Sequence, residues 1–157
     1  MSVDPDAFRS VLGRFASGVT VVTVHDANGN DQGMTVSAFS SVSLSPPLVM
    51  VCIGLDASLH PVIEHATHFG VNILSAGQEA LSRRFAAHLD RFDGVGFERG
   101  ESGVALLRGA LAFLECRIVA RHPAGDHTIV IGEVENVGNR DDRPLLYYRG
   151  GYAQLER

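Results

Sequence analysis

From Met34 to Leu44 the chain alternates. Apolar residues fall on even positions (Met34, Val36, Ala38, Val42, Leu44) and hydroxyls on odd ones (Thr35, Ser37, Ser41, Ser43), with Phe39 interrupting the polar row. A period of two predicts a strand with one row in a core and the other row on the opposite face. A solvated antiparallel strand alternates in the same way. Here, however, the segment carries no charge from Gly33 to Leu48 and stops at the rigid corner Pro46-Pro47. A wall of small hydroxyls and backbone amides suits a flat ligand with polar edges, although the pattern names none.

Other periodicities frame this segment. Asp4-Pro5 reads as an N-cap with proline at the first helical position. Phe8, Val11, Leu12 and Phe15 then predict an amphipathic helix running to near Gly18, with these four facing inward. Val19 to His25 is rich in β-branched residues, and Asn28-Gly29-Asn30 signals a hairpin before the long strand. Leu48–Ile53 reads as a buried strand. Ser58 is expected to cap a short helix with Pro61 in its first turn and Val62, Ile63 and Ala66 inward. Phe69–Leu74 is a further strand. Ser75 and Gln78 form a capping box that opens a helix through Leu81, Phe85 and Leu89. Residues 90–104 read as a surface loop. Strands follow over 111–121, 128–137 and 145–152.

Strands outnumber helices and come as hairpin-like neighbours, which predicts a mainly β antiparallel barrel with peripheral helices. No G-x-G-x-x-G follows a strand, so a Rossmann dinucleotide site has no support. The 157 residues are expected to form one domain spanning 1–157. The net charge is -5 and no run of Lys or Arg occurs, which argues against nucleic acid as a partner. No apolar run is long enough to span a bilayer, and the N-terminus lacks a signal-peptide pattern, so no membrane is expected and the cytoplasm is the expected location. Cys52 and Cys116 sit in separate apolar runs and are expected to be buried, reduced thiols. His60, His65 and His68 are close together, but only the last two have helical ligand spacing, so structural or surface roles are expected.

Several segments, taken in order, are similar to one known family. They are Phe8-Arg9-Ser10-Val11-Leu12-Gly13-Arg14-Phe15, Gly18-Val19-Thr20-Val21-Val22-Thr23, Thr35 through Leu44, Pro46-Pro47-Leu48-Val49 and Phe69-Gly70-Val71-Asn72-Ile73-Leu74. Further on come Arg84-Phe85-Ala86, Gly125-Asp126-His127-Thr128 and Leu146-Tyr147-Tyr148-Arg149-Gly150-Gly151-Tyr152. Together they resemble the short-chain flavin reductases, the reductase partners of two-component monooxygenases. Ser45 departs from the acidic residue frequent before the double proline.

The resemblance implies an FMN-binding split β-barrel, usually a homodimer, that moves a hydride from NADH or NADPH to FMN or FAD and supplies a separate monooxygenase. It places Thr35, Val36, Ser37 and Ala38 beside the flavin ring and ribityl chain, with Ser41 and Val42 nearby. Cys52, Ile53 and Gly54 would line the pocket from the next strand. Ser58 and Leu59 would meet the phosphate, and Arg84 and Phe85 would complete the pocket. His127 is the implied catalytic residue at the nicotinamide, joined by Tyr148, Arg149, Gly150 and Tyr152.

Read without the resemblance, Ser58 is an N-cap, Arg84 a solvated helix residue, His127 a structural histidine and Tyr152 a core ring. A non-catalytic flavin-binding or electron-carrying module is the alternative function. The sequence decides neither between FMN and FAD nor between NADH and NADPH.

Overall fold

The β-branched run after Gly18 folds back on the hydroxyl-rich segment. In a computed structural model that describes residues 2–87 and 91–156, β2 (Thr20–His25) pairs antiparallel with β3 (Asp31–Val36). Gly29 turns this hairpin at φ +83°, a backbone region that glycine enters without steric cost. Asp26 Oδ1 accepts from the amides of Asn28 and Asn30, each at 2.9 Å.

Seven strands share one antiparallel sheet. Their spatial order is β3, β2, β6 (His68–Ile73), β9 (Ala112–Ala124), β10 (His127–Asn139), β5 (Leu48–Gly54) and β4 (Phe39–Ser43). The two edge strands, β3 and β4, are consecutive in the chain and only Ser37 and Ala38 separate them. Laid flat, seven strands would put those edges roughly 29 Å apart at about 4.8 Å per strand. The three peptide steps from Val36 to Phe39 reach only about 11 Å. The sheet therefore rolls until its edges nearly meet, and the chain crosses the gap where no ladder closes it. This is an antiparallel split barrel with helices outside.

The rolled sheet encloses Val22, Val24, Val51, Ile53, Phe69, Val71, Cys116 and Val130, with Leu59 and Ile63 of the following turn and helix plugging one end. A Cβ at Gly132 would lie 2.7 Å from the Phe69 ring and from Cys116 Cβ, so only glycine fits there. A second core of Val19, Val21, Leu74, Phe85, Leu107 and Leu145 lies under α3 (Glu79–Ala86). There β8 (Ala105–Leu107) pairs with β7 (Phe97–Arg99), two strands inside residues read from the sequence partly as loop. A small sheet of β1 (Ser17–Gly18), β11 (Leu145–Tyr148) and β12 (Gly151–Gln154) completes the strands.

Several expectations need correction. Helix α1 (Pro5–Leu12) has the Asp4 cap, which accepts from Ala7 N at 3.1 Å, but it stops six residues before Gly18. Ser17 and Gly18 pair instead with Tyr147 and Leu146. Its apolar residues do not face a core: Phe8, Val11, Leu12 and Phe15 are 57, 67, 51 and 80% exposed. The long strand is two strands, and the crossing at 37–38 resets its parity. Ala38, Val42 and Leu44 are exposed, whereas Phe39 packs against the core.

Strand β5 alternates between buried and half-buried residues instead of being buried throughout. Helix α2 spans only His60–Ile63, and its N-cap is Leu59 without a side-chain bond, so Ser58 is not the cap. The Ser75–Gln78 capping box is present but opens a 3-10 turn before α3; Leu89 lies outside the described residues. The C-terminal strand is a hairpin turning at Arg149 (φ 51°) and Gly150 (φ 77°). Both cysteines are free, but only Cys116 is buried; Cys52, on the outer face of β5, is half-buried. Among the described residues no helix is long and apolar enough to cross a membrane.

Candidate functional site

The outer face where β5 ends beside the start of β10 gathers one set of predicted residues. Pairing of β5 with β10 sets Cys52 opposite Ile129 and Gly54 opposite His127. Side chains alternate across a sheet, so these four share the outer face while Ile53, Thr128 and Val130 face inward. The crossing joins them, because Cys52 N donates to Ala38 O at 3.0 Å, and Phe39 N donates to Ser37 O at 2.9 Å in a tight turn. Ser37 and Ala38 are exposed, and their own amides donate to no acceptor among the described residues. A pair of open backbone donors thus flanks a strand that ends in glycine. The space above Gly54 is bounded by His127, whose Nε2 would lie 3.7 Å from an added Cβ.

His127 is half-exposed, and its Nδ1 is 2.7 Å from Asp126 Oδ1. That bond, with the histidine's charge, holds the exposed Asp126 carboxyl below its usual range. Asp126 O in turn accepts from Leu55 N at 2.9 Å, tying the β9–β10 turn to the segment after Gly54. With Nδ1 engaged by the carboxylate, Nε2 is the ring nitrogen that faces the glycine.

A second set gathers at α3. Thr35 Oγ1 donates to Ser82 O at 2.6 Å, and Ser82 Oγ lies 2.7 Å from the Tyr152 hydroxyl. The Arg83 guanidinium sits 4.8 Å from the centre of the Tyr152 ring. Arg83 and Tyr152 border a cavity of about 340 Å³ lined also by Ala86, Ala87, Tyr147 and Gly150. Ser82 and Arg83 were not singled out from the sequence. A small hydroxyl one residue after Leu81 on an amphipathic helix was the available signal for Ser82.

Other predicted residues take different places. Val36, Ile53, Leu59 and Phe85 have side chains in the cores and can only frame a pocket. The Phe85 ring fills the space over Gly33 and meets Phe92 edge-on at 4.9 Å. Arg84 Nε donates to Arg91 O at 2.8 Å and its Nη2 to Asp93 O, so the guanidinium braces the segment after α3. Ser41 and Val42 are exposed on the β4 edge, and Ser58 is exposed in the turn before α2. A four-residue helix with no side-chain cap gives weak grounds for a phosphate site at Ser58 and Leu59. Tyr148, Arg149 and Gly150 form the C-terminal hairpin turn beside α1, where Arg149 N donates to Gly13 O at 2.9 Å. No hydrogen bond or ring contact among the described residues links that hairpin to His127. No group of three or more metal-ligating side chains occurs among them either.

A rolled, unclosed sheet with free amides at the split defines the class as an antiparallel split barrel. The chain belongs to the flavin reductase-like domain family, whose model matches residues 12–156. It is 45% identical over 151 residues to the FMN reductase (NADH) SmoA of Agrobacterium fabrum, covering 96% of this chain and 86% of that protein. It is 44% identical over 151 residues to the reductase component of 4-hydroxyphenylacetate 3-monooxygenase of Thermus thermophilus, covering 96% of each. Among solved structures, the NADH:FAD oxidoreductase SgcE6 of Streptomyces globisporus, in complex with NAD and FAD fragments, matches with TM-score 0.92 at 43% identity. That match covers 99% of this chain and 96% of the other.

Proposed function

We propose that this chain is an NADH-dependent flavin reductase that delivers reduced FMN or FAD to a separate monooxygenase. The observation that carries the reading is the alignment of free amides at Ser37 and Ala38, the bare backbone of Gly54 and the imidazole of His127 on one outer face. Flavin and reduced nicotinamide held there would together supply the redox chemistry, a hydride transfer that oxidises the nicotinamide and reduces the flavin. The chain contributes binding and orientation. The Ser37 and Ala38 amides are preorganised donors for a polar ring edge that gains negative charge, and such donors need no reorganisation when the charge develops. Gly54 lets a flat ring approach the strand. His127, held by Asp126, offers Nε2 to the nicotinamide carboxamide or to a proton near the flavin.

Thr35 reaches Ser82 and through it Tyr152. We read this as the support that fixes β3 and the C-terminal hairpin around the nicotinamide nucleotide, with Tyr148, Arg149 and Gly150 at its rim. The exposed Phe8, Val11 and Leu12 of α1, with Phe15 just beyond it, support a homodimer, since so many exposed large side chains in one stretch ask for a cover. The two unpaired thiols and the need for reduced nicotinamide nucleotide suit the cytoplasm.

Purified protein mixed with flavin and NADH should oxidise NADH catalytically and only in the presence of flavin. Absence of flavin-dependent turnover with both NADH and NADPH would remove the reading.

A further inference from the structure

His60 is a buried histidine, 7% exposed, at the start of α2 inside the end of the barrel. Its Nε2 lies 2.8 Å from Thr128 Oγ1. Its Nδ1 lies 3.6 Å from Glu64 Oε1, beyond hydrogen-bond reach but close enough to orient the ring. Thr128 follows His127 and points to the opposite face of β10. The same helix start is tied back to the ligand face: His60 N donates to Ala57 O at 3.0 Å and Ala57 N to Gly54 O at 3.0 Å. Gly54 pairs with His127. The links close a loop through Gly54, Ala57, His60, Thr128 and His127.

Leu59 and Ile63 already plug this end of the core, so an apolar side chain would serve at position 60 if packing were the only need. A buried imidazole is costly unless bonded, and a single neutral hydrogen bond adds little net stability. Its distinctive contribution is geometric. We propose that His60 is a positioning residue: its bond to Thr128 locks the turn after Gly54 to the start of β10 and thereby holds His127 over the ligand face. The inference rests on the reading that His127 meets the nicotinamide.

The test compares His127→Ala, His60→Leu, Thr128→Val and His60→Gln in the intact protein. Flavin Kd, thermal midpoint, and kcat and KM for NADH are measured for each. His60→Leu and Thr128→Val should impair NADH turnover in the same parameter as His127→Ala, by roughly tenfold, as expected for a misplaced group. Flavin Kd should not change. His60→Gln, which keeps a hydrogen-bonding group near Nε2, should restore most of that loss. Adding His60→Leu to His127→Ala should cost nothing further, because coupled residues are non-additive.

Unchanged kinetics in His60→Leu beside an impaired His127→Ala would overturn the positioning role alone. Unchanged kinetics in His127→Ala would instead remove the reading beneath it. Equal losses in the Gln and Leu variants, or losses that follow flavin Kd and melting, would make His60 merely structural and overturn the inference. If His60→Leu fails to fold, Thr128→Val decides by the same criteria.

Discussion

Gly54 separates the needs of the fold from the needs of the ligand. A Cβ built there meets only His127, with Nε2 at 3.7 Å and Cε1 at 3.9 Å, which is ordinary van der Waals contact. Its φ is not positive, so the backbone accepts a side chain. Gly54→Ala should therefore leave folding stability within about 0.5 kcal/mol of the parent, or raise it slightly because glycine weakens strands, and Gly54→Val, whose methyl groups reach beyond that Cβ, is read on its folded fraction. If the flavin ring lies on this face, the same methyl groups occupy its space. Overpacking costs about 1–3 kcal/mol, and at about 1.4 kcal/mol per tenfold the flavin Kd should rise roughly 5- to 150-fold. Gly54→Ala should give a smaller rise. Urea unfolding and a flavin fluorescence titration on the same preparations read the two quantities separately. Flavin affinity unchanged in a folded Gly54→Val protein would refute the placement of the ring over β5.

Other substitutions probe the supports. Tyr152→Phe removes the bond to Ser82 Oγ and should cost about 1 kcal/mol in urea unfolding, with KM for NADH rising if the hairpin holds the nucleotide. Gly132→Ala forces a Cβ to within 2.7 Å of the Phe69 ring and should destabilise by about 1–3 kcal/mol without altering the flavin Kd of the folded fraction.

Glu115, 1% exposed, supplies a pH test. Burial pushes its carboxyl up, but hydrogen bonds from Ser102 and Asn136 outweigh that and leave it below its ordinary value of 4.5. A carboxyl depressed on folding contributes stability above its unfolded value, and that contribution is lost as pH falls through the folded one. Glu115→Gln should lower stability at neutral pH and flatten this acid limb, read by urea midpoints across the acid range. An unchanged acid limb would contradict the assignment.

The strands and the capping box were legible because they depend on residues close in sequence: β-branched runs, Asn28-Gly29-Asn30, and Ser75 with Gln78. The site was legible only where the chain itself makes it. Ser37 and Ala38 stand out in the alternating segment and by the family resemblance, but the role proposed for them comes from crossing a split that the period of two does not reveal. A two-residue crossing between sheet edges shifts parity, so Phe39 turns into the core and Val42 turns out. Ser82 escapes a sequence reading and His60 reads only as a structural or surface histidine for the same physical reason, since their partners Thr35, Tyr152 and Thr128 are far away in sequence.

The rolled sheet that creates these distant contacts also bears on where we propose the ligand face. Rolling brings every inward side chain into a packed core and leaves the outer surface beside the split as the place where backbone donors have no ladder partner. In the proposed reading the binding surface lies at the split, and Gly54 and His127 would add the shape and the chemistry to fit a flat redox ring.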